Sequence, residues 1–340
     1  MQTALQKGLS FGMSAVSGIH SGKPRWADHA LAGKNILPES FCLDTKARVK
    51  FQSSTGHTID ASYHWNENEL PAVKEAWKTL YDAGIDLINT AEAYANGGSE
   101  AIVGKLVAGL PRDSFVRQTR WLSTPFKAAN FVHPVDAAVK SLECLKLEYV
   151  DIYLVHGPIH PQSIASGAKG MAHCVEQGLA RAVGVANYGQ DDMLKFRDEL
   201  AKYNIPLATN QCEFNMLRRH PELSELTEAC RTNNIVFQSY SSPAQSRLTG
   251  KHTKENPPPK SYRFSSYDMD DIEPTLETLR AIAQKLGKSM ASVALNYNIR
   301  KGALPLDAVD ALEWRLAPEE MVEIDKVSVV GRITSLWQQG

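Results

Sequence analysis

A (β/α)8 barrel with a long insertion after its first strand is the fold class this chain predicts, and three observations carry it. Short apolar runs, each ended by a polar residue, recur about every 25 to 35 residues through the middle of the chain. Amphipathic segments of helical period separate them. No G-x-G-x-x-G follows the first run, which places the doubly wound open sheet, the other fold built by this alternation, second.

The first run is "LSFGMSAV" at residue 9. Then come "IDLIN" at 85, "FVRQT" at 115, "VDIYLVH" at 150, "RAVGVAN" at 181, "PLATNQ" at 206, "IVFQSY" at 235 and "GALPL" at 302, which makes eight. Between the first two, Leu70, Val73, Trp77, Leu80 and Tyr81 recur at helical spacing until Gly84 stops the helix. After the last run only "DAVDALEW" precedes the terminal helix signal at Pro318, so the helix that should follow strand 8 is reduced.

Two stretches break the rhythm. Residues 17–67 read as an insertion after strand 1, with a hairpin around Ser54 to Gly56. Residues 241–271 contain "KENPPPKSYRF", too rich in proline and charge for a strand or helix, and read as a long surface loop. Both leave the strand C-terminal face, where barrel active sites lie, and both are candidate lids. The whole chain, 1–340, reads as one domain.

A formal charge of −1 without a basic stripe speaks against nucleic acid as a partner and for a small-molecule substrate. The five cysteines are scattered and form no C-x-x-C, which argues for reduced thiols and against a zinc site or disulfide framework. His156 and His160 are separated by Pro158 and accompanied by no carboxylate, so no metal is expected. Neither a signal-peptide run nor a membrane-spanning apolar stretch is present, and the expectation is a cytoplasmic protein without a membrane segment.

The apolar runs end in polar residues that a barrel would gather at one mouth: Asn89 with Tyr94 beyond it, Arg120, His156, Asn187, Gln211, and Tyr240 with Ser241. The phrases around them are specific. "GIDLINTAEAYANGGSEAIVGK", "VDIYLVHGP", "GVANY", "NQCEFN" and "QSYSSPAQSRLTGK" resemble successive segments of the aldo-keto reductases, with the likeness running from about residue 68 to 306 and resuming at "LAPEEMVEID".

That resemblance implies a carbonyl reductase in which an Asp, Tyr, Lys and His act with NADPH. Tyr94 and His156 keep their types, whereas Asn89 stands for the Asp and Arg120 for the Lys. Asn187, Gln211, Tyr240 and Ser241 fall where the family holds and stacks the nicotinamide, or they line a substrate pocket instead. Ala186 replaces an expected serine, "SSPAQSRL" lacks the expected glycines on the pyrophosphate, and the clamp for the 2′-phosphate is deleted after strand 8.

Asn with Arg leaves one uncompensated positive charge beside Tyr94, an arrangement that favours an acidic phenol. The expectation is therefore cofactor-independent acid-base catalysis, by isomerisation, dehydration or cyclisation, on a small carbonyl or enol compound. Tyr63, Trp65, Trp121 and Tyr262 suggest an apolar, polyketide-like ligand. The alternatives are an NADPH-dependent carbonyl reductase and a noncatalytic scaffold for a protein partner.

Overall fold

In the computed structural model of this chain the described residues are 42–44, 70–82, 86–122, 133–159, 162–258, 267–306, 311 and 314–331. Eight strands form one sheet in sequence order: β1 Cys42–Asp44, β2 Leu87–Asn89, β3 Val116–Trp121, β4 Val150–Val155, β5 Ala180–Ala186, β6 Leu207–Glu213, β7 Val236–Tyr240 and β8 Leu304–Pro305. Every neighbouring pair is parallel. The sheet curls so far that Gln118 of β3 and Gln238 of β7 exchange hydrogen bonds across its interior. This is the architecture of a (β/α) barrel.

Alternation within each strand builds two apolar layers. On β4, Ile152 and Leu154 face the interior with Leu87, Val116, Ala182, Ala208 and Leu306. Tyr153 and Val155 face outward into the larger core beneath the helices, with Trp77, Val103, Leu142, Met171 and Phe196. Burial on both faces explains why the strands read as continuous apolar runs.

The helices are α1 Leu70–Asp82, α2 Gly98–Val107, α3 Pro134–Leu145, α4 Ile164–Glu176, α5 Gln190–Ala201, α6 His220–Leu223, α7 Leu226–Thr232, α8 Met269–Leu286, α9 Met290–Arg300 and α10 Pro318–Val327. Local chemistry starts several of them. Ser163 accepts a hydrogen bond from the Ser166 amide at the head of α4, and Ser289 accepts one from the Ser292 amide at the head of α9. Val73 and Trp77 of α1 are buried at the predicted helical spacing.

One irregularity governs the site. Val183 of β5 pairs with Leu207 and Val185 with Asn210, so β6 carries an extra residue between them. Such a bulge re-aims the side chains that follow it. Ala208 faces the interior, and beyond the bulge Gln211 does so as well. Gly184 sits opposite, where a Cβ would stand 2.7 Å from the Thr209 carbonyl oxygen and 2.6 Å from Leu154 Cδ2. Only glycine admits so close a backbone.

Strand 1 corrects the sequence reading. The strand beside β2 is Cys42–Asp44, inside the stretch assigned to the insertion. Three residues are too few to display a period, which is why pattern reading passes over them. Residues 9–16, and 17–67 apart from this strand, lie outside the described residues. Among its described residues the long loop after β7 holds a 3-10 turn, Arg247–Thr249, and it ends in α8 at Met269, slightly before the expected boundary. Of the connection from β8 to α10, residues 307–310 and 312–313 lie outside the described residues.

Candidate active site

The loop from β2 to α2 carries Tyr94, and three tethers set its path. The Thr90 amide donates to the Gln118 carbonyl and the Glu92 amide to the Arg120 carbonyl, which continues the β2–β3 pairing past the strand end. The Glu92 carboxylate accepts from the Leu122 amide at 2.7 Å. The chain then turns through a 3-10 segment, Tyr94–Gly97, and Gly97 takes φ 86° to enter α2.

Tyr94, Arg120 and His156 meet at the mouth. The Tyr94 and His156 rings stand edge to face with centroids 5.8 Å apart. The Arg120 guanidinium carbon lies 5.5 Å from the Tyr94 ring centroid, within cation–π range. Arg120 is buried, and its Nε and Nη2 have no hydrogen-bond acceptor among the described residues.

Asn187, Gln211 and Tyr240 join the same mouth from β5, β6 and β7. The Asn187 side-chain amide donates to the His156 carbonyl at 3.0 Å, and the Tyr240 hydroxyl donates to Asn187 Oδ1 at 2.9 Å. Asn187 holds a left-handed φ of 64° while its backbone amide donates to the Gln211 carbonyl. Ser241 is also left-handed, and its carbonyl accepts from the Asn215 side chain.

Asn89 takes part in a set of buried amides. Its Oδ1 accepts from Gln118 Nε2 at 2.9 Å and, more distantly, from Gln211 Nε2 at 3.4 Å. Gln118 and Gln238 donate reciprocally to one another at 2.9 and 3.0 Å, and Gln211 Nε2 donates to Gln238 Oε1 at 2.9 Å. The four amides are buried and form one neutral layer across the barrel. Gln118 and Gln238 are the residues that sequence reasoning missed. The available signal was a glutamine at an inward register position in each of two apolar runs.

Trp121 also departs from expectation. It packs in the core beneath the helices, not at the mouth, because strand alternation points it away from Arg120. Tyr63, Trp65, His160 and Tyr262 lie outside the described residues.

The loop after β7 adds a backbone feature. Ala244, Gln245 and Ser246 hold φ of 49°, 54° and 75°, a short left-handed turn without glycine. In such a turn successive amides point one way, and the amides of Gln245 and Ser246 donate to no backbone carbonyl among the described residues. Bulkier residues were expected to spoil an anion-binding backbone here. They adopt the conformation regardless, at a cost of about 1 to 2 kcal/mol each.

Comparison with known proteins decides the family. The profile of the Aldo/keto reductase family matches residues 58–328. The chain belongs to the aldo/keto reductase family. It is 31% identical over 282 residues to the chloroplastic pyridoxal reductase of Arabidopsis thaliana, which covers 74% of this chain and 75% of that protein. It is 30% identical over 294 residues to Aldo-keto reductase YhdN of Bacillus subtilis, covering 77% and 85%. A crystal structure of a Bombyx mori aldo-keto reductase in complex with NADP shares the fold, with a TM-score of 0.64, 22% identity, and coverage of 89% of this chain and 95% of that one.

These findings overturn the expectation of cofactor-independent isomerase, lyase or cyclase chemistry, and with it the expectation that no cofactor is required. Relatives aligned over about three quarters of the chain are named as reductases, and a reduction needs a donor of hydride. Asn89 Oδ1 accepts from the amide layer, and Arg120 lies against the Tyr94 ring. Among the described residues no helix is long and apolar enough to cross a membrane, and no three His, Cys, Asp or Glu side chains are grouped to hold a metal ion.

Proposed function

We propose that this aldo/keto reductase is an NADPH-dependent carbonyl reductase acting on a small aldehyde or ketone. The observation that carries the reading is the meeting of Tyr94, Arg120 and His156 beside the Asn187–Gln211–Tyr240 set at one barrel mouth. The residues suit the dinucleotide on two counts. Gln211 Oε1 is a buried acceptor without a hydrogen-bond partner among the described residues, suited to a carboxamide N–H. The left-handed turn at Ala244–Ser246 offers backbone amides to a pyrophosphate.

Asn187 and Gln211 would hold the carboxamide, Tyr240 would face the nicotinamide, and Ser241 begins the loop that would take the phosphates. When bound, the dinucleotide would supply the hydride. Tyr94 donates the proton to the carbonyl oxygen, and His156, set edge to face with it, orients that oxygen. Arg120 stabilises negative charge on the phenol as the proton leaves, acting through the ring it covers. Residues 1–340 then form one domain with a shortened helix after β8, and the name of the pyridoxal reductase relative supports an aldehyde substrate.

The test is stoichiometric. Purified protein is offered a panel of aldehydes with NADPH, and consumption of the dinucleotide should match alcohol formed one for one. Tyr94→Phe should lower kcat by about 100- to 10,000-fold while leaving NADPH affinity unchanged. Product formed without NADPH, or Tyr94→Phe retaining full turnover, would sink the reading.

A further inference from the structure

We infer that Gln118 and Gln238 are positioning residues for dinucleotide recognition: together with Asn89 they hold the Gln211 amide in one orientation, with Oε1 presented to the nicotinamide carboxamide. The inference rests on the reductase reading above. Its observation is independent of that reading, because it comes from hydrogen-bond directions within the amide layer.

Two oxygens organise the layer. Gln238 Oε1 accepts from both Gln118 Nε2 and Gln211 Nε2, and Asn89 Oδ1 accepts from the same two nitrogens. Gln238 Nε2 closes the reciprocal pair by donating to Gln118 Oε1. Turning the Gln211 amide over would set its oxygen against two oxygens that have nothing to donate, and both hydrogen bonds would be lost. Turning Gln118 or Gln238 alone would break the reciprocal pair in the same way. Each amide therefore turns only if the other three turn with it, and in the sense the layer holds, Gln211 commits Nε2 to Gln238 and Asn89.

With Nε2 committed to the layer, the planar amide aims Gln211 Oε1 along its other arm, and that oxygen has no partner among the described residues. The β6 bulge brings Gln211 into the layer, and the Asn187 amide on its backbone carbonyl ties it to the mouth. A free glutamine would present N–H or C=O with similar ease. In the sense the layer holds, this one presents an acceptor, which suits the N–H of a carboxamide and not the methyl ketone of its acetyl analogue. Asn89 supplies a neutral acceptor that the Gln118 and Gln211 amides share.

The test compares two ligands that differ at one group. NADP+ carries the carboxamide, whereas 3-acetylpyridine adenine dinucleotide phosphate carries an acetyl group that cannot donate. Calorimetric titration of the full-length chain should show NADP+ binding about tenfold tighter, the scale of one hydrogen bond. Gln238→Met and Gln118→Met, each near in size, should bring that ratio to about one by weakening NADP+ alone. Two Met variants guard against one failing to fold, and a general loss of structure would weaken both ligands together. Retention of the tenfold preference in the folded Met variants overturns the positioning role, and equal binding of the two ligands by the unaltered chain overturns the orientation assigned to Gln211. Binding of neither ligand overturns the reductase reading itself.

Discussion

Glu100 offers a handle on stability through pH. It lies in the first turn of α2, buried, and accepts a 2.6 Å hydrogen bond from the Thr119 hydroxyl on β3. Thr119 is flanked by Gln118 of the amide layer and Arg120 of the mouth, so this bond fixes β3 from its outer face. Burial raises the carboxyl pKa from the usual 4.5 to about 7, with the Thr119 hydrogen bond opposing the rise and Glu92 adding to it. Below pH 4.5 the group is protonated in both folded and unfolded chains and contributes no difference. Between 4.5 and about 7 the folded chain holds a proton that the unfolded chain has lost, so stability falls as pH rises through this window. Above it the full loss is about 3 kcal/mol, at about 1.36 kcal/mol for each pH unit of displacement. Glu100→Gln keeps an acceptor for Thr119 and removes the titration. Urea unfolding of both proteins at pH 5.5 and pH 8 should show the variant gaining about 2 kcal/mol relative to the parent across that interval. The difference between the two proteins cancels every other carboxylate. A difference that stays constant with pH, or grows toward acid, would refute the reasoning.

Three further outcomes follow from the geometry. Arg120→Met removes the cation over the Tyr94 ring, worth at most about 3 kcal/mol at an effective dielectric of about 20; kcat for aldehyde reduction should fall about 10- to 100-fold while NADPH affinity by fluorescence is unchanged. Gly184→Ala drives a Cβ into Leu154 and the Thr209 carbonyl, so chemical denaturation should register a loss of about 1 to 3 kcal/mol. Ser246→Gly releases a left-handed residue from its steric cost at the expense of some chain entropy, and a net gain of about 0.5 to 1 kcal/mol should appear as a raised Tm without loss of dinucleotide binding.

How much of this was legible before folding differs from residue to residue. Tyr94, His156 and Arg120 were readable because each closes an apolar run or the turn after it, and a parallel barrel carries all such ends to one rim. Asn187, Gln211 and Tyr240 followed by the same rule. Cys42–Asp44 was unreadable, since three residues carry no period. Trp121 was misplaced for a related reason: it follows Arg120 directly, and neighbours on a strand face opposite ways. Gln118 and Gln238 each stood plainly in an apolar run, yet neither had a partner within reach along the chain.

The amino-acid order by itself determined the alternation of strand and helix, the rim residues and the family, because these rest on local period and on phrases that are contiguous in the chain. The partners of the Asn89 oxygen, Gln118 and Gln211, came from tertiary structure alone. Position 89 reads as half of a lost charge pair with Arg120 when the two are compared along the chain. Once the sheet curls and the β6 bulge turns Gln211 inward, amides more than a hundred residues apart come within 3.0 Å of one another. Hydrogen bonds between inward side chains of opposite strands depend on the curl of the sheet, and that curl leaves no mark on any short stretch of sequence.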